Sequence, residues 1–133
     1  MPDWRYHVRS MSLAPINEIL DALRNGEVVI LVDDEDRENE GDFVVAAEFV
    51  TPETINFLTR VGGGYLCVSL DGETCDRLEL SPQGNVNTSL RATPFTVSVD
   101  GHPRHGVGTG ISASDRAKTI QMLADPEART DDF

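Results

Sequence analysis

Apolar positions recur at helical spacing near both ends of this chain, and run together or alternate in the stretches between. Ile16, Ile19, Leu20 and Leu23 stand at i, i+3, i+4 and i+7, which puts four apolar side chains on one helical face behind Pro15. Proline in a first turn needs no amide partner, and Gly26 just past Arg24 suits a C-terminal stop. Residues 27–32 form a mostly β-branched run, apolar after Glu27, that predicts a strand buried on both faces. Further strands are predicted over residues 43–47, 65–70 and 95–99, the last with clear alternation. Thr51, Pro52 and Glu53 open a second helix with N-cap, first-turn proline and acid in place, Ile55 and Leu58 on its buried face, and Gly62 to Gly64 ending it.

The rest of the pattern is shorter. Residues 73–78 can make a brief helix, and residues 81–93 are turn-rich with no regular structure expected. A Gly-rich connection over residues 101–110 carries His102 and His105, both expected at the surface. Ser112 with Asp115 three residues on resembles a capping box, although Asp stands where Glu or Gln is usual. Ala117, Ile120 and Leu123 then line the last helix, which Asp125-Pro126 ends. Strands alternating with helices predict an α+β or mixed α/β layered domain over residues 13–133, preceded by a loosely attached arm over residues 1–12.

Length and charge narrow the class. One hundred and thirty-three residues make one domain, and 11 Lys plus Arg against 23 Asp plus Glu leave a net charge of −12. Nucleic acid and anionic membrane surfaces are therefore excluded as partners, because both are bound through clustered cations. The longest apolar run, residues 28–32, falls far short of the roughly 20 residues a membrane helix needs. The first ten residues lack the apolar core of a secretory signal, and Cys67 and Cys75 read as a reduced pair. A cytoplasmic protein is expected. Its modest core also leaves room for extra burial in an oligomer.

One segment goes beyond what composition explains. Asp33-Asp34-Glu35-Asp36-Arg37-Glu38-Asn39-Glu40-Gly41-Asp42 holds seven acids in ten residues between two hydrophobic runs. Such crowding repels itself unless a cation relieves it. Hard divalent ions take oxygen ligands, and Mg²⁺ commonly binds through one or two carboxylates plus substrate oxygens. A lone Arg among acids offers a planar fork of donors to a substrate oxygen or phosphate. The spacing does not fit an EF-hand, whose glycine would fall near Asp36 rather than at Gly41. The residues by themselves reach an acidic, Mg²⁺-dependent site on a strand-connecting loop.

From Val32 to Asp42 this segment resembles the signature of the 3,4-dihydroxy-2-butanone 4-phosphate synthases of riboflavin biosynthesis. The resemblance continues in Gly64-Tyr65-Leu66-Cys67, in Phe95-Thr96-Val97-Ser98-Val99-Asp100 and in Thr109-Gly110-Ile111-Ser112-Ala113-Ser114-Asp115-Arg116. It implies conversion of ribulose 5-phosphate to 3,4-dihydroxy-2-butanone 4-phosphate and formate with Mg²⁺ or Mn²⁺. A divalent ion across two neighbouring oxygens stabilises an enediolate, and nearby carboxylates shuttle protons through dehydration, skeletal rearrangement and formate loss. By resemblance Glu38 is the metal ligand, Arg37, Glu38 and Asp42 bind substrate, and Glu38, Glu40, Asp42, Cys67 and Gln121 make up the catalytic set. Asp33 and Glu35 are further candidates for proton transfer or support.

Plainer readings stand beside these: Cys67 as a small buried hydrophobe, Gln121 as an exposed helix residue, the acidic run as a solvated loop. Thr109, Ser112 and Ser114 approach a helix start, where backbone amides can hold an anion. The resemblance also implies a homodimer. Members of the family continue past the position of Phe133 through Arg-Pro-Gly-His and Gly-His-Thr-Glu motifs, which bring a metal-binding His, a phosphate-gripping Arg and an acid/base Glu. The chain is therefore expected to be the N-terminal portion of that domain, incomplete at its C-terminus. An alternative is a truncated or non-catalytic relative that binds a divalent ion or a sugar phosphate without turnover, and another is an assembly protein whose acidic face meets a basic partner.

Overall fold

The computed structural model describes residues 13–133, and the arm expected over residues 1–12 lies outside them. Helix α1 (Ile16–Arg24) leads into strands β1 (Val29–Val32) and β2 (Gly41–Val44). Helix α2 (Pro52–Phe57) runs on into a π-helical turn at Leu58–Gly62, followed by α3 (Gly72–Arg77) and α4 (Ala113–Leu123). Short 3-10 turns lie at Ala47–Phe49, Pro103–His105 and Thr130–Asp132. This is an α+β fold whose sheet is a two-stranded antiparallel hairpin, with Val29 opposite Val44 and Val32 opposite Gly41.

The helix starts follow from their caps. Thr51 Oγ1 accepts from the Thr54 amide at 3.2 Å, Asp71 Oδ1 from the Thr74 amide at 2.7 Å, and Ser112 Oγ from the Asp115 amide at 3.0 Å. Each satisfies one of the amides a helix N-terminus leaves unpaired. Gly26 takes φ +75° just beyond α1, and a Cβ there would also run into Phe49.

Helix α4 organises the core. Ala117 and Ile120 pack with Val50 and Ile55 in one buried cluster, while Leu123 joins Leu78, Leu80 and Ala128 in a second. Val68 packs against both. The Thr119 hydroxyl, buried on the same helix, accepts the Gly101 amide at 2.9 Å and ties the Gly-rich connection to α4.

Four strand expectations are corrected. Only Val29 of β1 is buried, and Ile30, Leu31 and Val32 are each about half exposed, because among the described residues β2 is its single strand neighbour. The second strand stops at Val44, where Val45 and Ala47 turn away to pack on the α2–α4 cluster. Residues 65–70 do alternate, with Leu66, Val68 and Leu70 inward and Tyr65, Cys67 and Ser69 outward, yet they join no ladder. Residues 95–99 touch a neighbour through one bridge, Pro82 to Thr96. Side-chain alternation reports burial, whereas a strand also requires a hydrogen-bonded partner. Of the four apolar residues of α1, Ile19 and Leu23 are half-buried while Ile16 and Leu20 are exposed, and the helix lies against β1. His105, expected at the surface, is half-buried with its Nε2 2.7 Å from Asp132 Oδ1.

Candidate active site on the acidic loop

The hairpin places the acidic residues at one end of the sheet, where the chain reverses between Val32 and Gly41. Asp33 shapes the reversal. Its Oδ2 accepts Arg37 Nη1 at 2.7 Å and the Glu38 amide at 3.1 Å, and its Oδ1 accepts the Glu40 amide at 2.8 Å. Those donors, the Glu40 amide foremost and then the Glu38 amide and the Arg37 guanidinium, hold the Asp33 carboxyl below the usual carboxylate range. Asp34 Oδ1 accepts the Asp36 amide at 2.9 Å, an Asx turn that sets the next corner, and Asn39 adopts φ +53° on the way back. Asp33 thus scaffolds the turn.

Arg37 and Glu38 sit side by side, with Arg37 Nη1 3.3 Å from Glu38 Oε2. A second guanidinium arrives from residues 81–93: Arg91 Nε lies 3.9 Å from Glu38 Oε1, and Arg91 Nη2 donates to the Arg37 carbonyl. Between the two loops lies an open hollow of about 450 Å³. Arg37, Glu38 and Glu40 form one wall, and Ser89, Leu90, Arg91, Thr93 and Phe95 the other. A second hollow of about 440 Å³, between α3 and the end of α4, contains none of the residues singled out from the sequence.

Arg37, Glu38 and Glu40 are therefore together, and the other candidates are elsewhere. Asp42 is exposed on β2 opposite Leu31 and does not line the hollow. Cys67 is an exposed free thiol, which overturns its reading as a buried hydrophobe. Gln121, on α4, donates from Nε2 to the Val50 carbonyl at 2.7 Å and so braces α4 against the start of α2. Ser112 caps α4, and the Asp115 carboxylate accepts the Gly108 amide at 3.0 Å, so the protein's own carboxylate occupies the place considered for an anion. Among the described residues, no three His, Cys, Asp or Glu side chains converge as a metal site. Arg91 was missed from the sequence, where its signal was being the one charged residue in the stretch 81–93.

The family model for 3,4-dihydroxy-2-butanone 4-phosphate synthase matches residues 17–133. The chain belongs to that family. Curated relatives include the riboflavin biosynthesis protein RibBA of Aquifex aeolicus (strain VF5), 52% identical over 118 residues that cover 89% of this chain and 29% of that protein. The RibBA of Mycobacterium tuberculosis (strain ATCC 25618 / H37Rv) is 57% identical over 108 residues, 81% of this chain and 25% of that protein. Among solved structures, a 3,4-dihydroxy-2-butanone 4-phosphate synthase in complex with two magnesium ions superposes with TM-score 0.87 at 42% identity, covering 91% of this chain and 56% of that one. The synthase of Candida albicans gives TM-score 0.78 at 47% identity, over 90% of this chain and 57% of that one. The chain thus spans little more than half of these solved synthases and under a third of the curated relatives.

Proposed function

We propose that the protein converts ribulose 5-phosphate to 3,4-dihydroxy-2-butanone 4-phosphate and formate, and that the hollow between Arg37, Glu38 and Arg91 is this chain's share of the active site. The observation that carries the reading is the Glu38 carboxylate, set beside one guanidinium and facing another, with Glu40 on the same wall. Family membership supports this reaction, which balances in atoms and needs no oxidant or reductant.

The donor set fits a hard divalent cation, Mg²⁺ or Mn²⁺. Glu38 and Glu40 offer carboxylate oxygens beside open space, as an ion that keeps water and substrate oxygens in its coordination shell requires. Bound there, the ion supplies Lewis-acid polarisation of adjacent substrate oxygens. The remaining work falls to side chains. Arg37 has one nitrogen fixed by Asp33, which sets the guanidinium plane and leaves its other donors for an anionic substrate oxygen. Glu40, in no ion pair among the described residues, is the proton acceptor on this wall. Asp42 and Cys67 enter as substrate-contacting residues by family resemblance, and Gln121 acts through the segment it holds at Val50. A cytoplasmic homodimer completes the reading, supported by the apolar side chains of Ile30, Val32 and Tyr65 at the surface of the single chain.

Formate release from ribulose 5-phosphate with Mg²⁺ is the test, run beside calorimetry of ion and sugar-phosphate binding. Glu38→Gln should lower the rate by about a hundredfold or more, as loss of one group stabilising developing charge commonly does. The small donor set favours one second reading, a relative that binds without turnover. Tight binding with no formate would establish that reading instead, and no binding of either ligand would overturn both.

A further inference from the structure

We propose that Arg91 is a latch that a divalent cation displaces, coupling occupancy at Glu38 to the position of the loop formed by residues 83–95. The inference rests on the reading of Glu38 as the cation's ligand.

That loop is closed at its base and free along its length. Gln83 donates to the Phe95 carbonyl at 2.9 Å and Val97 to the Ser81 carbonyl at 2.9 Å, clipping the two ends together beside the Pro82 to Thr96 bridge. Within it, Asn87 accepts the Ser89 amide at 3.0 Å and donates to the Thr93 carbonyl at 2.8 Å. A turn follows in which the Ala92 amide reaches the Ser89 carbonyl at 3.0 Å and Ala92 adopts φ +54°. These contacts give the loop internal shape without attaching it to anything. Its apolar side chains do not attach it either, since Val86 is 78% and Leu90 94% exposed. Among the described residues, every polar contact from this loop to the acidic loop comes from Arg91: one to Glu38 and one to the Arg37 carbonyl.

The Arg91–Glu38 pair is more than a third exposed and long, so it holds the loop weakly. It also places a positive charge where the cation would sit. A divalent ion on the Glu38 carboxylate repels a guanidinium 3.9 Å from Oε1, so the ion and Arg91 compete for the charge of Glu38. Cation binding therefore loosens the tip of the loop, leaving the Arg37 carbonyl alone to hold Arg91, and a closed tip lowers the apparent cation affinity. By reciprocity the two effects have the same size.

The experiment is tryptic cleavage at the Arg91–Ala92 bond, followed by mass spectrometry in the full chain with and without Mg²⁺, because trypsin must take the same guanidinium that Glu38 holds. Cleavage after the exposed Arg24 serves as the internal reference. Mg²⁺ should speed cleavage after Arg91 about three- to tenfold relative to Arg24, the range for a weak, partly screened contact. Glu38→Gln should be cut fast and show no response to Mg²⁺. Calorimetry supplies the second readout: Arg91→Gln should bind Mg²⁺ about three- to tenfold more tightly, with Arg91→Lys, which keeps the charge, between it and the parent. Mg²⁺ that binds without altering cleavage at Arg91, or an affinity left unchanged in Arg91→Gln, overturns the latch and leaves the proposed function standing. Absence of Mg²⁺ binding in both chains overturns the latch together with the reading of Glu38.

Discussion

Replacing Gln121 by Leu separates two roles that its position allows. The side chain bridges from α4 to the Val50 carbonyl at 2.7 Å, and Val50 is 2% exposed. No other donor in the described chain reaches that oxygen. Leu has similar bulk and no donor, so the substitution leaves a buried carbonyl unpaired, at a cost of about 1–3 kcal/mol. Gln121 itself is exposed, which lets water approach the vacated position and puts the expectation near the lower half, about 1.5 kcal/mol. A chain of 133 residues has an unfolding entropy of about 0.28 kcal/mol/K, at about 2.1 cal/mol/K per residue. The melting temperature should therefore fall by about 5 °C, read by circular dichroism at 222 nm. On the proposed function, formate release per folded molecule should fall only as far as displacement of the Val50 segment disturbs the site. A variant that melts with the parent yet has lost turnover would refute the reasoning and put Gln121 in direct contact with the reacting groups.

Two further outcomes follow from the core and from the C-terminal turn. Ile55, 1% exposed among Val50, Ala117 and Ile120, should lose about 3 kcal/mol on truncation to Ala. That appears as a urea midpoint lower by about 1.5 M at unchanged slope, and a loss under about 1 kcal/mol would mean the cluster collapses around the gap. Asp132 accepts Arg104 Nη2 at 2.6 Å and the Arg129 amide at 2.8 Å and pairs with His105, contacts that hold its carboxyl well below the usual carboxylate range, with the guanidinium foremost. A depressed folded value gives stability that is fully present above the unfolded pKa of about 3.9 and is lost as pH falls through the folded one. The melting-temperature gap between the parent and Asp132→Asn should be widest near pH 6 and close toward the acid extreme; a gap that stays flat from pH 6 down to pH 2 would contradict it.

What the sequence revealed was local. The face Ala117–Ile120–Leu123, the caps at Thr51 and Ser112 and the stop at Gly26 each depend on residues within a turn or two of one another, and all stand in the structure. The strands over residues 65–70 and 95–99 did not follow, because their alternation is local while the partner that would make a ladder is not. The acidic loop was legible for the same local reason, seven carboxylates between two apolar runs. Which carboxylate does what was hidden. Asp33 and Glu38 look alike in sequence, and only the folded turn shows three donors on one and open space before the other. Arg91 meets Glu38 across more than fifty residues of chain, a pairing that no spacing rule reaches.

That pairing bears on how an acidic loop can be ready for a cation before one arrives. Repulsion among the carboxylates suggested that a metal is needed to hold the loop together, yet the relief comes from the chain itself. Two amides and a guanidinium converge on Asp33, an amide on Asp34, and two guanidiniums flank Glu38. The backbone of the turn is therefore set in advance, and an incoming ion need not supply the free energy to order it. The contacts to Asp33 and Asp34 cost the ion nothing, since neither carboxylate lines the hollow. On the proposed function the Arg91 contact is different in kind, because it steadies the loop at the carboxylate the ion would take. Weakening Asp33 should loosen the site and lower cation affinity, whereas weakening Arg91 should raise it, and this opposition of sign distinguishes a scaffold from a competitor.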